Sequence, residues 1–512
     1  MRRWATSVRV ALLSATLACV GTAGRAHAQS QPSVPCGGGQ ACQAIRAADF
    51  VDSIGINVHL NNYTDNNSPH DPYTDQSNSA FGGSTTAANG VTTNVSAMVA
   101  ALQFTGIHVV RGQVNYTEVV GRFEAILQSI PNLQLIAVTT SASSQQGPID
   151  HITALSPVWS SVVAFEGLNE SRDNGAYFPY KGLYGSAGTC AWQKDMFGVL
   201  QTGNQQHGTN LPMLAAPVAD HAQFAEMASD AACVAAANAS SGHSYVDTNP
   251  PTAGILAFDN IYNKSLPSEV QSNAPAGAPN WVTETGVTSN PYLGGNGCGN
   301  GGDQRSQAIV NLETALSFKR LGVVQTALYE LADDPTYDPN PGPNSCNREP
   351  HFGIFDYTWT KKDEAYALHN QFQVVNDTAA NARSFTPGSL AFTIANAPAN
   401  TYSLLMQQAS GTWVAAIWPE NPVWSYASGG VAGYEITRAT VNATVTFPAM
   451  TSVTLYDPFG NGTSMTTTNI GAGTSATVPM TDHPIYLAMV AAAGGGGGGA
   501  VRGACTFGGG SL

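Results

Sequence analysis

Apolar and polar positions along the chain define two regions with different periodicities. Between residues 48 and 378, short strand-like apolar runs alternate with segments of helical periodicity. The strand-like runs lie at 51–60, 107–114, 133–139, 162–168, 213–218, 242–246, 281–287 and 323–331. The helical candidates lie at 95–104, 119–130, 192–202, 223–237 and 304–321. Eight strands that alternate with helices predict an α/β fold, a (β/α)8 TIM barrel with loop insertions.

A doubly wound open sheet is the alternative, because it shows the same alternation. Such a sheet more often carries a glycine-rich phosphate-binding turn after its first strand, and the sequence has no GxGxxG there. The barrel is therefore favoured.

The region after residue 384 contains short strands without helix-length periodicity, which predicts an antiparallel β-sandwich. Its strand-like runs lie at 391–394, 402–406, 413–418, 439–447, 452–456 and 486–490. We expect a signal peptide at 1–28, an N-terminal segment at 29–47, the barrel at 48–383, the sandwich at 384–491 and a glycine-rich flexible tail at 492–512.

The first residues have the features of an export signal. Arg2 and Arg3 precede an apolar run at 8–20, and Ala26-His27-Ala28 provides a small-x-small cleavage site. A membrane anchor is the alternative, but the run is short for spanning a bilayer. We therefore expect a secreted protein, extracellular or periplasmic, with no membrane span.

Charge and cysteine content narrow the classes of partner. Removing the signal removes four arginines and no acid, so the formal net charge moves from -14 to -18, which disfavours nucleic acid. Export permits disulfides. The expected pairs are Cys36 with Cys42, Cys190 with Cys233, and Cys298 with Cys346, which leaves Cys505 as an odd thiol. The cysteine and histidine spacings do not match a zinc site, so we expect neither metal nor cofactor.

Two short segments carry the candidate chemistry. Residues 163–170 form an apolar strand that ends in Asn169-Glu170, and residues 281–286 form one that ends in Glu284 between two threonines. Strand ends point into the active site of such a barrel, so Glu170 is a candidate general acid/base and Glu284 a candidate nucleophile. Either glutamate alone is equally well explained as a strand-end or loop residue. Their places on the fourth and seventh predicted strands make the pair informative.

These residues resemble the clan A glycoside hydrolases, retaining enzymes on a (β/α)8 barrel. Asn169-Glu170 and Glu284 match the acid/base and nucleophile positions of the clan, and the sandwich after the barrel is similar as well. The segments 351–356 and 365–368 resemble the stretch that leads into the last barrel helix. The resemblance implies that Asn169 binds the 2-hydroxyl of the sugar, and that a residue of the sixth strand contacts the nucleophile.

Further residues fit this resemblance. Arg111, near the end of the second strand, is expected to hydrogen-bond the nucleophile, although a surface arginine is an alternative. His59 at the end of the first strand is a candidate ligand for a sugar hydroxyl, and a loop histidine with its hydrogen bonds satisfied within the protein is an equal alternative. His243 and Tyr245 lie on the sixth strand, and Tyr245 is favoured for the contact with the nucleophile. Glu166 is expected to lie one layer deeper and to pair with Arg111.

The eighth strand departs from the clan, because Tyr329 stands where many members have a tryptophan below the sugar. Tyr329 is therefore a candidate for stacking on the substrate. Glu330, Asp333 and Asp334 follow, and they would disfavour a uronic acid if they faced the cleft; a polar loop explains them equally well. Aromatic residues after the acid/base are further candidates for sugar platforms: Tyr177, Phe178, Tyr180 and Tyr184.

The sequence thus predicts a secreted retaining β-glycoside hydrolase that acts on a polysaccharide or oligosaccharide. One alternative is a non-catalytic carbohydrate-binding or surface protein on the same barrel. Another is a metal-dependent hydrolase that uses His59, His243 and nearby acids.

Overall fold

The structure is a computed structural model that describes residues 41–59, 90–113, 117–139, 146–170, 180–217, 221–246, 251–252, 271–293, 301–333, 351–426 and 431–491. The predicted signal peptide, the glycine-rich tail, and Cys36, Cys298, Cys346 and Cys505 lie outside these ranges.

Nine α-helices lie within the described residues. They are α1 (Ala47–Asp52), α2 (Gly90–Thr105), α3 (Thr117–Ser129), α4 (Gln146–Leu155), α5 (Gly185–His207), α6 (His221–Ser229), α7 (Ala231–Val234), α8 (Gln304–Arg320) and α9 (Asp363–Val375). A 3-10 helix covers Ser156–Ser161. None of the described helices is long and apolar enough to cross a membrane.

The described strands belong to the barrel or to the second domain. They are β1 (Ala41–Gln43), β2 (Ile45–Arg46), β3 (Ile54–Asn57), β4 (Val109–Gln113), β5 (Gln134–Thr139), β6 (Val162–Leu168), β7 (Met213–Leu214), β8 (Ser240–His243), β9 (Asn280–Thr285), β10 (Gln325–Leu328), β11 (Ser389–Ala391), β12 (Thr393–Ala395), β13 (Thr401–Gln407), β14 (Trp413–Pro419), β15 (Trp424–Ser425), β16 (Tyr434–Glu435), β17 (Val441–Asp457), β18 (Thr466–Met480) and β19 (Ile485–Ala491).

The strands β3 to β10 form one parallel sheet that curls into a barrel. Neighbours in the sheet are neighbours in the sequence, and β10 pairs with β3 as well as with β9. A parallel bridge between Leu214 and Ala239 joins β7 to the residue before β8. The predicted (β/α)8 barrel is confirmed, and β6 and β9 are its fourth and seventh strands.

An apolar layer fills the lower part of the barrel interior. It consists of Val109, Ile136, Ala164, Leu214, Ala239 and Trp281. Val109 is two residues before Arg111, and Ala164 is two residues before Glu166. Because side chains alternate along a strand, this apolar layer lies directly below the layer that contains Arg111 and Glu166.

The second domain is the predicted antiparallel β-sandwich. Its main sheet has the order β12-β17-β19-β14-β13-β2, with β18 paired to β17, and β1 pairs with β11 in a separate ladder. Its core includes Leu405, Trp413 and Val453. The two N-terminal strands were not predicted, because they are only three and two residues long.

Several predicted boundaries were wrong. Val51 and Asp52 belong to α1 and not to the first strand. The apolar residues Phe50 and Val51 are buried by the packing of this helix, and not as part of a strand. The predicted helix 223–237 is interrupted at Asp230, whose carboxylate accepts backbone N–H groups at the start of α7. The predicted strands 439–447 and 452–456 are one bulged strand, β17, and its partner β18 was missed because it lacks an apolar run.

The disulfide Cys190–Cys233 is confirmed and ties α5 to α7. Cys42 is also disulfide-bonded, to a cysteine outside the described residues.

Helices α8 and α9 lie between the barrel and the sandwich and bury polar groups there. The Trp418 indole donates to Ser317 Oγ at 3.1 Å, and the backbone N–H of Thr252 donates to Glu420 at 2.7 Å. Between the two helices, Asn311 donates to the Glu364 carboxyl at 2.8 Å. Burial raises the pKa of Glu364 to about 8. The folded protein therefore holds a proton there at neutral pH.

We expect the free energy of unfolding to fall as the pH rises from about 4.5 to about 8, because the folded-state pKa of Glu364 is raised above its ordinary value. Glu364→Gln keeps the hydrogen bond from Asn311 and removes the acid. The variant should gain stability relative to the wild type by up to about 1.4 kcal/mol per pH unit in this window. Chemical denaturation at several pH values measures this difference, with the exposed Glu124→Gln on α3 as control. Parallel pH dependences of variant and wild type would contradict it.

Candidate active site

Arg111 is the centre of a polar cluster in the upper barrel interior. Its Nε and Nη2 donate to the two oxygens of Glu166 at 2.6 and 2.8 Å. Its Nη1 donates to Asn57 Oδ1 and to Glu284 Oε1, both at 2.6 Å. Its Nη2 also donates to Asn169 Oδ1 at 2.6 Å. All five N–H groups of the guanidinium therefore have protein acceptors.

Glu166 is the main counter-ion of Arg111, as the sequence predicted. It is fully buried, and Thr283 Oγ1 donates to it at 3.0 Å. Burial alone would raise the pKa of this carboxyl, but the charge of Arg111 outweighs burial and lowers it to about 2. Glu166 is thus an ionised partner held below the cleft.

Glu170 lies two residues after the end of β6, with its side chain about a quarter exposed. Its φ of 40° is in the left-handed region, which is unfavourable for a residue with a side chain. Its backbone N–H donates to the carbonyl of Pro217 at 3.0 Å, which holds it there. Strained backbone of this kind concentrates at functional sites, where it directs a side chain.

Glu284 owes its orientation to a bulge in β9. Between Val282 and Thr285, β9 has one residue more than either neighbouring strand, as the register shifts on both sides show. Thr283 and Glu284 consequently both reach groups in the barrel interior, although they are consecutive. Bulges next to active sites commonly redirect side chains in this way.

Gly286 keeps the end of β9 close to the end of β10. A Cβ at this position would lie 2.3 Å from the carbonyl oxygen of Tyr329, so a larger residue does not fit.

Two residues of the sixth strand region contact the candidate carboxylates. Tyr245 donates to Glu284 Oε2 at 2.8 Å. Nδ1 of His243 lies 2.5 Å from Glu170 Oε1 and 3.5 Å from Glu284 Oε2. Burial alone would lower the pKa of His243, but the facing carboxylates Glu284 and Glu170 raise it to about 9. His243 is therefore protonated at neutral pH and sits between the two glutamates.

The eighth strand closes the other side of the cluster. The buried Glu330 lies 2.8 Å from Nε2 of His59, which is about a fifth exposed. The half-buried Tyr329 packs edge-on against His59 and against Phe352. His59 and Tyr329 thus lie side by side at the carboxyl ends of the first and eighth barrel strands.

Some predicted candidates do not reach the cluster. Asp333 is buried against Lys362 at 2.6 Å, so its charge is compensated there, and Asp334 lies outside the described residues. Tyr180 is buried and hydrogen-bonds Asp195, so it is not an exposed sugar platform. Tyr184 is 60% exposed at the start of α5, and Tyr177 and Phe178 lie outside the described residues.

Sequence reasoning missed Asn57 and Phe352. Asn57 Nδ2 donates to the carbonyls of Thr283 and Leu328, both at 3.1 Å, and so links the first strand to the seventh and eighth. Its even spacing from His59 on a barrel strand was a usable signal. Phe352 had no such signal, because it comes from a segment after the eighth strand.

Neither the family models nor the curated proteins match the sequence. Among solved structures, a family 39 glycoside hydrolase from Bacteroides cellulosilyticus WH2 is 14% identical, with a TM-score of 0.50; the match covers 86% of this chain and 82% of that one. The chain shares the fold of that enzyme. The catalytic domain of GH30 xylanase C from Talaromyces cellulolyticus is 10% identical, with a TM-score of 0.47 and coverage of 90% and 99%.

Glu166→Gln should destabilise the protein, because Arg111 loses its main counter-ion inside the barrel. We expect a loss of about 3 kcal/mol in the free energy of unfolding at pH 7. Since the folded-state pKa of Glu166 is lowered, its contribution is present above about pH 4.5 and is lost as the pH falls towards 2. The difference in the free energy of unfolding between variant and wild type should therefore become smaller in acid, as measured by chemical denaturation. A gap that does not change with pH would show that the ion pair is not its cause.

Proposed function

We propose that this protein is a retaining glycoside hydrolase, with Glu170 as acid/base and Glu284 as nucleophile. One observation carries the proposal: an oxygen of Glu170, a ring nitrogen of His243 and an oxygen of Glu284 all lie within 4.8 Å of one another. Retaining enzymes hold their carboxyl groups about 5–5.5 Å apart, whereas inverting enzymes need about 6.5–9.5 Å to admit a water. The close pair supports retention.

The contacts of Glu284 suit a nucleophile. Arg111 and Tyr245 each donate to one of its oxygens, which fixes the carboxylate and stabilises its negative charge. In the first step Glu284 attacks the anomeric carbon while Glu170 protonates the departing glycosidic oxygen. In the second step Glu170 removes a proton from water, which then hydrolyses the glycosyl–enzyme bond.

The contact between His243 and Glu170 fits the two roles of Glu170, which must carry a proton in the first step and be ionised in the second. At 2.5 Å, Nδ1 of His243 and Glu170 Oε1 are close enough to share a proton. Asn169 is held by Arg111 and lies beside Glu170, where its amide can bind a sugar hydroxyl.

The substrate class and the compartment complete the proposal. The strand ends that carry Glu170, Glu284, His59 and Tyr329 open on one face of the barrel, as expected for binding a polysaccharide or oligosaccharide. The predicted signal peptide and the Cys190–Cys233 disulfide support an exported protein, because disulfides persist in oxidising compartments.

Metal-dependent hydrolysis is the competing mechanism, since Glu170, His243 and Glu284 are close enough to hold an ion. Two features disfavour it. A metal ligand must be a neutral imidazole, whereas the facing carboxylates raise the pKa of His243 to about 9. The guanidinium of Arg111 also contacts Glu284 directly. Activity should therefore be unchanged after dialysis against a chelator.

We expect Glu170→Gln to lower kcat by about 10²–10⁴-fold on aryl glycosides with a poor leaving group, because general acid catalysis is lost. With a dinitrophenyl leaving group, which departs without protonation, the bond-cleaving step should be much less affected. Steady-state and burst kinetics on both substrates measure this. Because the side chain is partly exposed and Gln can still accept a hydrogen bond from His243, we expect no large change in the free energy of unfolding. An equal loss with both leaving groups would remove Glu170 from the acid role, and tight oligosaccharide binding without any product would favour a non-catalytic binding protein.

A further inference from the structure

The charges around the two candidate carboxylates restrict which sugar this site accepts. On the basis of the proposed glycosidase function, we infer that the sugar bound at the point of cleavage is neutral, and that uronic acids are excluded. A uronic acid carries a carboxylate where the matching neutral hexose has a hydroxymethyl group. Binding that carboxylate requires a cation with donors to spare, or at least a site without excess negative charge.

Arg111 has no donor left for a substrate carboxylate. Each of its five N–H groups already donates to Asn57, Glu166, Asn169 or Glu284, at 2.6 to 2.8 Å. Its charge is shared between two carboxylates in the buried cluster. Among the described residues, Arg111 is the only lysine or arginine that forms an ion pair with a carboxylate of this cluster.

His243 is a cation but is also occupied. Its Nδ1 lies 2.5 Å from Glu170 and 3.5 Å from Glu284, and its Nε2 lies 3.8 Å from Glu166. Three carboxyl groups therefore surround this one imidazolium. Since Glu170 carries the proton for the leaving group, a substrate carboxylate would meet repulsion from the ionised Glu166 and Glu284.

Glu330 adds negative charge at the end of the eighth strand. Its carboxylate is 1% exposed and faces His59 at 2.8 Å. Since so little of it is exposed, Glu330 acts on a bound sugar through its negative charge, which repels a substrate carboxylate and leaves a hydroxymethyl group unaffected. Glu330 is consequently the residue we expect to discriminate most between a neutral sugar and a uronic acid.

The test compares aryl glycosides that differ only in the C5 substituent. The pairs are aryl β-glucoside with aryl β-glucuronide and aryl β-galactoside with aryl β-galacturonide, each measured as kcat/KM. Binding of neutral and uronate β-linked oligosaccharides to Glu284→Gln is measured by calorimetry in parallel. We expect the neutral member of the pair that is cleaved to be preferred by about a hundredfold or more.

Glu330→Gln tests the residue assigned to discrimination. It keeps the shape of the side chain and removes one negative charge, so the preference for the neutral sugar should fall by about tenfold. The matched control is Asp333→Asn, three residues away, whose charge is already compensated by Lys362; it should leave the preference unchanged. The ratio of the kcat/KM values for the two substrates does not change if part of the variant protein is unfolded, because both values fall by the same factor.

The outcomes separate this inference from the proposed function. Cleavage of a uronide as fast as its neutral partner overturns the inference and leaves the glycosidase function intact. Binding of neutral but not uronate oligosaccharides without any cleavage overturns the function and supports the charge argument. Tighter binding of the uronate oligosaccharide overturns the inference whichever substrate is cleaved.

Discussion

The five-fold hydrogen-bonded guanidinium of Arg111 is the interaction on which the site depends. A buried charge is expensive unless it is paired and fully hydrogen-bonded, and Arg111 meets both conditions through residues of three other strand regions. Asn57 comes from the first barrel strand, Glu166 and Asn169 from the fourth, and Glu284 from the seventh. The same side chain thereby fixes both segments that carry candidate catalytic carboxylates. Removing it would leave two of their acidic groups without their main counter-charge.

The regular packing around this cluster supports two irregular stretches of backbone within it. The apolar layer below it closes the barrel, and α8 and α9 tie the barrel to the sandwich through buried polar contacts. Against this frame, Glu170 adopts a left-handed backbone and β9 carries a bulge at Glu284. Both irregularities occur at the carboxyl ends of strands, which is where barrel enzymes place their chemistry. The packing below and around the site thus provides stability, while the left-handed residue and the bulge lie at the site itself.

Much of this arrangement was predictable from the sequence. Alternating apolar runs gave the barrel, and strand counting placed Glu170 and Glu284 on its fourth and seventh strands. The pairing of Glu166 with Arg111 followed from side-chain alternation along β6. The bulge in β9 was not predictable, because no residue in 281–287 marks where a strand gains an extra residue relative to its neighbours. Asn57 was missed although its even spacing from His59 was a usable signal, whereas the role of Phe352 depends on contacts with strands far from it in sequence and has no such signal. The strands β1 and β2 are too short to show a period, and β18 is too polar to stand out.

The most direct test of the central claim is to trap the covalent intermediate. The enzyme is incubated with a panel of 2-deoxy-2-fluoro-β-glycosyl fluorides of the gluco, galacto, manno and xylo series, which slow the breakdown of a glycosyl–enzyme. Peptide mass spectrometry then locates the modified residue. The account predicts a single fluoroglycosyl group on Glu284, formed faster in the wild type than in a variant that lacks the hydrogen bond from Tyr245. Labelling of Glu170, Glu166 or another carboxylate would contradict it.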